Sequence, residues 1–561
     1  MVLLKSVLSS MPTYPMSCFK LPINLCNRIQ SVLTRFWWDA DPDTKKMCWI
    51  AWHRLARSKK EGGLGFREIQ TFNDAMLAKL SCRMLMNPDC LLHRILKGKY
   101  FMSSNFLEAD LQDASSHGWK GIIVGSDLLK KRLGKAIGNG KTTSLWEENW
   151  ISTSQLRKPI GPALEHVYNL KVSDLINEDT KEWKEDMIRE ILPEFETEIK
   201  CIKLSHTDVE DRFIWTPHPS GNYTTRSGYH SSLPQPIMNT LSTDIREDFD
   251  WNKEIWQETS SEKLKLFLWK LVKRALPLGD NLVKRKVISD SSCIHCGASE
   301  SEVHLFFHCP FAVEIWNQIP TSSSLDTTQI LDIISGIRAS RHLICLPPSG
   351  VGRGPLYPWI LWNIWTSRNR RVFNERSFTP LETISNIVKG AREWQEAQPV
   401  KQSIPESTRR AWRPPIPTNS IRCFVDGAWN SATLAAGLGW VLQDEQGNTL
   451  LTGSEAHAPV GSALVAEGLA LRRSLQSALD RGIQRIWIAS DSENLNKSIN
   501  LEINIAEIYG VLQDIKKMKR SFDFVDFVFI PREANSLADR VAKNCLWVFS
   551  EIRATLGPLM N

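Results

Sequence analysis

The 561-residue sequence contains no run of about 18 apolar residues, the length that a membrane-spanning helix needs. It also lacks a secretory signal, because Lys5 interrupts the weakly apolar start and no small-residue cleavage pattern follows. We find no organelle signal and no internal repeat. Cysteine is too sparse for a disulfide scaffold, with 12 residues in the whole chain. These absences exclude membrane-spanning and disulfide-rich secreted classes, and leave the nucleus or cytoplasm as the expected location.

The composition is that of an ordinary globular protein, with 42% hydrophobic and 23% charged residues. A chain of this length predicts several domains, since single cores rarely exceed about 250–300 residues. The net charge of +7 is uneven: residues 1–150 hold 22 Lys/Arg against 13 Asp/Glu, whereas residues 420–561 hold 14 against 16. The basic front favours nucleic acid through phosphate contacts, and the alternative is a solvated surface with surplus lysine.

Four acidic residues in the last 140 positions carry the strongest functional indication. Asp426 and Asp491 each close an apolar run typical of a buried strand, Glu467 lies within a helical apolar stripe, and Asp539 falls early in a helix. Buried carboxylates are costly unless a cation neutralises them. Hard divalent ions prefer oxygen ligands, so the pattern predicts a Mg²⁺ site.

The pattern after residue 420 predicts an α/β domain. Strands are expected near 421–426, 436–442, 449–457, 485–490 and 524–530, and helices near 463–480, 494–519 (with a break) and 535–545. This order predicts a mixed five-stranded sheet with flanking helices. A Pro-rich stretch at residues 413–417 predicts a stiff linker in front of the domain.

The part before the linker is expected to be mainly α-helical. Apolar stripes predict a helix around Leu25 to Phe36, and further helices are expected at 262–275 and 359–372. Residues 213–229 suggest an apolar stretch, a turn at 220–222 and then a strand, while residues 62–65 predict a glycine turn. Four tryptophans between 37 and 52 favour core packing over base stacking. The stretch 137–142 superficially resembles a phosphate loop, but Lys135 occupies the place of the first required glycine, so we reject a nucleotide triphosphate site.

A second cluster predicts a zinc site. Cys293, Cys296, His304 and Cys309 supply three thiolates and one imidazole at a spacing that suits tetrahedral Zn²⁺. His295 and His308 are alternative ligands, and a chance grouping is the other interpretation. Since the protein would fill all four positions, the expected role is structural. Such knuckles often contact single-stranded nucleic acid, but a role in folding alone is equally compatible with the pattern.

These motifs together resemble the C-terminal part of plant non-LTR retroelement reverse transcriptases, over nearly the whole chain. Residues 221–317 resemble the family's zinc-binding region, where KLFLWK at 265–270 precedes the cluster and Glu302, His304, Cys309 and Trp316 fall in register. Residues 420–561 resemble its ribonuclease H type-1-like domain. The front resembles the segment that follows the polymerase core, at KSVLSS 5–10, LP 21–22, RFWW 35–38, GGLGF 62–66, FNDAMLAK 72–79 and KY 99–100.

The resemblance implies a division of the chain into five parts. These are a post-polymerase, thumb- or connection-like helical segment (1–110), an irregular connector (111–211), the zinc-binding region (212–318), a helical segment with the linker (319–419) and the ribonuclease H-like domain (420–561). The fold class expected is therefore multidomain, with an α/β C-terminal domain and mainly α regions before it.

The resemblance also implies chemistry for the four acids. Asp426, Glu467, Asp491 and Asp539 match the family's catalytic, metal-binding residues, which hold two Mg²⁺ or Mn²⁺ ions and cut the RNA strand of an RNA–DNA hybrid. An endonuclease of this type leaves 5′-phosphates and 3′-hydroxyls. Gly427 and Ala428 are expected to contact the substrate because small residues let the backbone approach a strand. Further candidates are Arg532 and Asn535, and Asn535 alternatively caps the last helix.

Two departures from the family pattern qualify this expectation. Many ribonuclease H proteins carry a histidine ten residues before the last aspartate, where this chain has Phe529. Arg532 is nearby but stays protonated, so it cannot shuttle protons. The chain also lacks the Phe/Tyr-x-Asp-Asp element that carries the polymerase metal ligands, so we expect no DNA polymerisation.

The leading hypothesis is thus a retroelement-derived, nucleic-acid-binding protein with a Mg²⁺-dependent hybrid ribonuclease domain and a structural Zn²⁺. The alternative is a catalytically inactive remnant that binds nucleic acid or another protein. The sequence does not identify the protein partners or the oligomeric state.

Overall fold

The computed structural model describes residues 1–39, 41, 43–112, 114–161, 165–233, 249–347, 349–351, 355–398 and 420–556. The chain forms two units, each assembled from separate stretches. The first unit comprises Met1–Pro12, Pro22–Gln70 and Pro234–Pro405, and the second comprises Thr13–Leu21, Thr71–Leu233 and Glu406–Asn561. The predicted linker at 413–417 lies outside the described residues. No helix of the described ranges is both long and apolar enough to cross a membrane.

Helices dominate the chain up to residue 398, as predicted. They are α1 (Val2–Ser6), α2 (Thr13–Cys18), α3 (Ile23–Trp38), α4 (Trp52–Ala56), α5 (Ile69–Met86), α6 (Leu91–Tyr100), α7 (His117–Lys130), α8 (Glu185–Ile191), α9 (Glu196–Cys201), α10 (Thr225–Ser232), α11 (Glu262–Val272), α12 (Gly279–Lys284), α13 (Pro310–Gln318), α14 (Ile333–Arg341), α15 (Tyr357–Asn374) and α16 (Pro380–Glu396). Two short strands, β1 (Leu133–Ala136) and β2 (Arg212–Trp215), form an antiparallel pair.

Of the four tryptophans of the front segment, Trp38 and Trp52 are buried, as expected, whereas Trp37 and Trp49 are half-buried. Trp52 stacks on Phe66 with ring centroids 5.3 Å apart, and Trp37 meets the same ring edge-on at 5.2 Å. The apolar stripe that predicted α3 is less well covered, because Val32 is 68% exposed and Phe36 is 48% exposed. The pattern therefore located the helix correctly, but it did not indicate which apolar side chains are buried.

The strand predicted after the turn within residues 213–229 is wrong. After the turn at Gly221, the chain forms helix α10, because Thr224 accepts a hydrogen bond from the Ser227 backbone N–H and begins the helix. The strand β2 pairs instead with β1, which lies far away in sequence, with Leu133 opposite Trp215.

The second unit contains the predicted mixed five-stranded sheet, and this fold class is confirmed. Its strands are β3 (Ile421–Asn430), β4 (Ala435–Gln443), β5 (Thr449–His457), β6 (Arg485–Ser490) and β7 (Phe524–Phe529). The order across the sheet is β5-β4-β3-β6-β7. β5, β4 and β3 pair antiparallel, whereas β3, β6 and β7 run parallel. The helices are α17 (Ala463–Leu479), α18 (Glu493–Asn500), α19 (Tyr509–Lys519) and α20 (Ser536–Leu556).

The two faces of this sheet are covered by different helices. Alternate residues of β3 and β4, including Val425 and Leu438, join Leu469 of α17 and Val511 of α19 in one apolar core. On the opposite face α20 approaches β4 so closely that a Cβ at Gly439 would stand 2.5 Å from the Ala542 backbone nitrogen. The sheet is therefore sandwiched between helices, and β3 continues to Asn430 beyond its last residue pair with β6, Phe424 and Ala489.

Residues 204–207 are docked onto this domain through a buried ion pair. Arg472 of α17 donates to Asp514 of α19 at 3.0 Å and to the Leu204 carbonyl at 3.1 Å. Asp514 also accepts from the Ser205 hydroxyl and from the His206 backbone N–H. The second unit therefore includes part of the segment that was predicted as an irregular connector.

Candidate metal centres

Two of the four predicted acids lie just beyond the point where the parallel pairing of β3 and β6 ends. Phe424 of β3 pairs with Ala489 of β6. Asp426 and Asp491 each follow two residues after this pair, so both reach the same edge of the sheet. Successive residues of a strand point to opposite faces, hence both aspartates point to the face that carries Phe424 and Ala489.

Glu467 is brought to the same place by a close approach between helix and strand. A Cβ at Gly427 would stand only 2.5 Å from the Glu467 backbone nitrogen, so the residue after Asp426 must be glycine for α17 to pack here. This contact fixes the position of Glu467 relative to Asp426. It also gives Gly427 a packing role beside the predicted contact with substrate, which no contact in the structure tests.

Asp539 comes from the first turn of α20 and already has cationic neighbours. Lys543, one turn later, places its Nζ 2.7 Å from Asp539 Oδ2. Arg532 is more distant, with Nη2 3.9 Å from Oδ1, and its side chain is 75% exposed. The two cations partly balance the charge of Asp539, whereas no described residue forms an ion pair with Asp426, Glu467 or Asp491 within 4.0 Å.

The charges of the four acids act on one another. Burial, together with the negative charges of Asp491, Asp539 and Glu467, raises the pKa of Asp426 to about 7. Burial also raises the pKa of Glu467, while a hydrogen bond with Ser492 acts in the opposite direction. The site therefore concentrates negative charge that the protein itself leaves largely uncompensated.

Asn535 lies directly beneath this group and is only 1% exposed. Its amide nitrogen donates to Asp491 Oδ1 at 3.1 Å and to the Val425 carbonyl at 3.0 Å. Its side-chain oxygen has no hydrogen-bond partner, so Asn535 does not cap α20. The residue ties the start of α20 to both aspartate-bearing strands and orients the Asp491 carboxylate.

Other predicted residues are placed nearby without a defined role. Ala428 is half-buried and continues β3 beyond Asp426. Phe529, at the position where the family resemblance predicts a histidine, ends β7 and is 43% exposed. Sequence reasoning missed Lys543 and Ser492. Lys543 could have been found from its position four residues after Asp539 on a predicted helix, because residues at this spacing are neighbours on the helix surface.

The predicted zinc ligands converge in the first unit. One ligand atom from each of Cys293, Cys296, His304 and Cys309 lies within 4.8 Å of all the others. The Cys309 sulfur is 3.9 Å from both other sulfurs, close to the ~3.8 Å edge of a zinc–thiolate tetrahedron. The turn is closed by Gly297, which adopts φ +80° and donates its N–H to the Cys293 carbonyl.

The two alternative histidines lie outside this group. His295 stacks on Phe311 at 4.2 Å, and burial lowers its pKa to about 4. His308 is exposed at the end of a π-helical turn, His304–His308. The cluster loop is held by a buried bidentate pair, in which Arg368 of α15 donates to both oxygens of Glu300.

The loop that resembles a phosphate loop is closed by the protein itself. Asp211 accepts hydrogen bonds at 2.8 Å from the backbone N–H groups of Gly138 and Gly140, and others from Thr142 and Thr143. A carboxylate therefore occupies the place that a phosphate would take, which agrees with the rejection of a nucleotide site.

Two known families match separate parts of the chain. Residues 424–545 match the family described as reverse transcriptase-like. Residues 223–316 match the family described as zinc-binding in reverse transcriptase. The first match includes all four acids and the second includes the Cys₃His cluster.

Individual proteins are similar over longer or more restricted ranges. An uncharacterized mitochondrial protein of Arabidopsis thaliana is 41% identical over 143 residues, which cover 25% of this chain and 93% of that protein. A putative ribonuclease H protein of the same plant is 24% identical over 589 aligned positions, covering 97% of this chain and 88% of its own length. Among solved structures, a ribonuclease H1 from Halobacterium salinarum is 25% identical, with a TM-score of 0.22, and covers 23% of this chain and 97% of its own. The chain belongs to the family of plant retroelement reverse transcriptase-related proteins.

Proposed function

We propose that residues 420–556 form a Mg²⁺-dependent ribonuclease that cuts the RNA strand of an RNA–DNA hybrid. The observation that carries the proposal is geometric: Asp426 and Asp491 each follow the paired residues Phe424 and Ala489 by two positions, and the close approach at Gly427 brings Glu467 beside Asp426. The raised pKa of Asp426, caused by burial and by the charges of the other three acids, supports it. Clustering four acids at one edge of the sheet does not stabilise the folded state. A site that binds cations requires such an arrangement.

The donor set fits divalent ions of the hard type. Asp426, Glu467, Asp491 and Asp539 offer only oxygen atoms, and the first three have no ion-pair partner in the described chain. These residues would hold Mg²⁺ or Mn²⁺. When bound, a pair of such ions supplies an activated water and charge stabilisation for the leaving 3′-oxygen, giving a 5′-phosphate on the product.

The remaining residues of the site act on orientation and on the substrate. Asn535 fixes the Asp491 carboxylate through its 3.1 Å hydrogen bond. Arg532, exposed and 3.9 Å from Asp539, is placed to bind a phosphate of the nucleic acid. Ala428, beside the carboxylates on β3, leaves room for the RNA backbone. Selectivity for RNA would come from contacts to 2′-hydroxyls across the shallow minor groove.

The Cys₃His cluster would hold a structural Zn²⁺ ion. Three sulfurs at tetrahedral spacing and one imidazole fill the coordination sphere, so no position is open for catalysis. The ion would connect the turn at Cys293 to the π-helical turn at His304. Its contribution would therefore be to the stability of the first unit.

A second candidate is a nucleic-acid-binding protein without catalysis. Phe529 favours it, because this residue replaces the histidine expected ten positions before Asp539 and cannot transfer a proton. Under this candidate, hybrid binding depends on salt but not on Mg²⁺.

Hydrolysis of a labelled RNA–DNA hybrid by the full chain tests the proposal. We expect Mg²⁺-dependent cleavage of the RNA strand with 5′-phosphate ends, and loss of cleavage in Asp491→Asn. Asp523→Asn is the matched control, because Asp523 is exposed and precedes β7 at the opposite edge of the sheet. Equal activity in the native chain and in Asp491→Asn, or no cleavage by either, would count against the nuclease. DNA synthesis on a primed template is not expected, because the chain lacks the Phe/Tyr-x-Asp-Asp element.

A further inference from the structure

Outside the two metal centres, positive charge concentrates around the glycine turn at residues 62–65 of the first unit. Two lysines reach this turn from distant parts of the chain. The Lys273 Nζ lies 2.7 Å from the position that a Cβ would take at Gly62. The Lys5 Nζ lies 3.4 Å from the position that a Cβ would take at Gly65. Lys59 belongs to the short helix Lys59–Glu61 that leads into the turn. Two ammonium groups therefore approach this turn, and a third lysine lies in the helix that leads into it.

Tryptophan side chains fix this arrangement. The Lys59 Nζ lies 4.3 Å from the Trp256 ring centroid, and the Lys273 Nζ lies 4.4 Å from that of Trp251. The Trp269 indole N–H donates to the Gly62 carbonyl at 3.0 Å. Gly62 adopts φ +75°, and a Cβ there would stand 2.5 Å from the Trp251 ring, so only glycine fits.

Exposed cations extend the same surface. Arg54 and Arg57 are both exposed and act on Lys273 through like-charge repulsion. Burial, followed by these two charges, lowers the pKa of Lys273 to about 8. Burial and the charge of Lys59 similarly lower the pKa of Lys5. The Arg57 carbonyl accepts the Gly65 backbone N–H at 2.8 Å, so Arg57 belongs to the same turn.

The surrounding carboxylates are engaged elsewhere. Glu61 accepts hydrogen bonds from the Ser58 backbone N–H and hydroxyl. Glu254 pairs with Arg338 at 2.7 Å. Among the described residues, no carboxylate oxygen lies within 4.0 Å of a charged nitrogen of the three lysines or of the two arginines. The surface therefore lacks internal counter-charges.

We propose that this cationic turn, defined by Lys5, Arg54, Arg57, Lys59 and Lys273, binds the phosphate backbone of a nucleic acid. Half-buried ammonium groups without counter-charges are costly, and a polyanion supplies those charges while releasing its own counterions. The Trp251 and Trp269 rings are 5% and 0% exposed, so they are not available to stack on bases, and the half-buried Trp256 ring is covered by the Lys59 ammonium. The cations therefore contact phosphates, which carry no sequence information. The inference rests on the proposed nucleic-acid partner and adds a surface in the unit that does not contain the four acids.

The salt dependence of binding tests this inference. Affinity for a labelled RNA–DNA hybrid is measured in EDTA, so that no cleavage occurs, for the native full chain and for Arg54→Gln/Arg57→Gln. Both arginines are exposed, so their replacement should leave the melting temperature unchanged. The control is Lys284→Gln/Lys389→Gln, which removes two exposed charges from the same unit.

We expect the double arginine variant to bind several-fold more weakly at low salt, with the slope of log affinity against log salt reduced by about 2. The control should keep the native slope. An unchanged slope in the arginine variant would overturn the inference. The inference would also be overturned if the arginine variant bound the hybrid as the native chain does but no longer bound phosphatidylserine vesicles, which serve as a second anionic ligand. Neither result depends on hydrolysis, so failure here and failure of the proposed nuclease are distinguishable.

Discussion

At the scale of single residues, Asp426 is the group on which the site depends most. Its carboxylate is half-buried beside three others, and its pKa of about 7 lies well above the ~3.9 of an unfolded chain. Without bound metal, the Asp426 carboxyl therefore holds its proton more tightly in the folded protein than in the unfolded chain. The stability that this proton contributes is present below the unfolded pKa and is lost as the pH rises through the folded pKa.

This difference predicts a pH-dependent effect of Asp426→Asn. In EDTA, the substitution should leave the melting temperature nearly unchanged at about pH 4 and raise it at about pH 8, because it removes a repulsive charge only where that charge exists. Calorimetric melting of the native chain and the variant at both pH values measures this. With Mg²⁺ present at the higher pH, the sign should reverse. A change in melting temperature of equal size at both pH values in EDTA would show that the neighbouring carboxylates do not raise the pKa of Asp426.

Sequence reasoning named the four acids and Asn535, but not the role of Asn535 in orienting Asp491. Asp426 and Asp491 follow apolar runs, and Glu467 and Asp539 lie in helical patterns, all of which are local signals. The hydrogen bonds from Asn535 to Asp491 and to the Val425 carbonyl depend on how α20 is placed over the sheet. That placement follows from packing at Gly439 and Ala542, which no local pattern reveals.

At the scale of elements, all five strands of the C-terminal sheet were predicted within a few residues. The helix predicted at 494–519 does break, into α18 and α19, whereas the helix predicted at 535–545 continues to Leu556. Strand alternation is a strong signal, but helix ends depend on capping and on what covers the last turns. The error at 213–229 has the same origin, because the capping interaction of Thr224 outweighs the apolar pattern around it.

The buried pair between Arg472 and Asp514 gives a prediction at this scale. Arg472→Met should destabilise the second unit by about 3 kcal/mol, because Asp514 is left buried without its cation. Urea denaturation measures the change. Arg473→Met is the matched control on the same helix: its guanidinium is 46% exposed, so its loss should cost less than about 1 kcal/mol. Equal effects of the two substitutions would show that residues 204–207 are not held through Arg472.

The cluster of Cys293, Cys296, His304 and Cys309 gives a second. The purified chain should contain one zinc ion, and Cys309→Ser should lose it with a lowered melting temperature of the first unit. His308→Ala is the control, since His308 is exposed and outside the ligand group. Metal analysis by mass spectrometry measures the content. Zinc retained in Cys309→Ser, or lost in His308→Ala, would contradict the assigned ligands.

At the scale of the whole molecule, the chain is organised differently from a simple row of domains. Each unit combines stretches that lie hundreds of residues apart, such as residues 204–207 with α17 and α19, or Gly62 with Trp269. Linear composition cannot reveal this, because each such contact joins segments that are separated by independent elements. The five segment boundaries expected from the family resemblance stay a prediction.

The central claim is that the four carboxylates hold divalent ions, and calorimetric titration of the full chain with Mg²⁺ and Mn²⁺ tests it most directly. We predict saturable binding to the native chain and to Asp523→Asn, and its loss in Asp491→Asn. Identical titration curves for the native chain and Asp491→Asn would contradict the account.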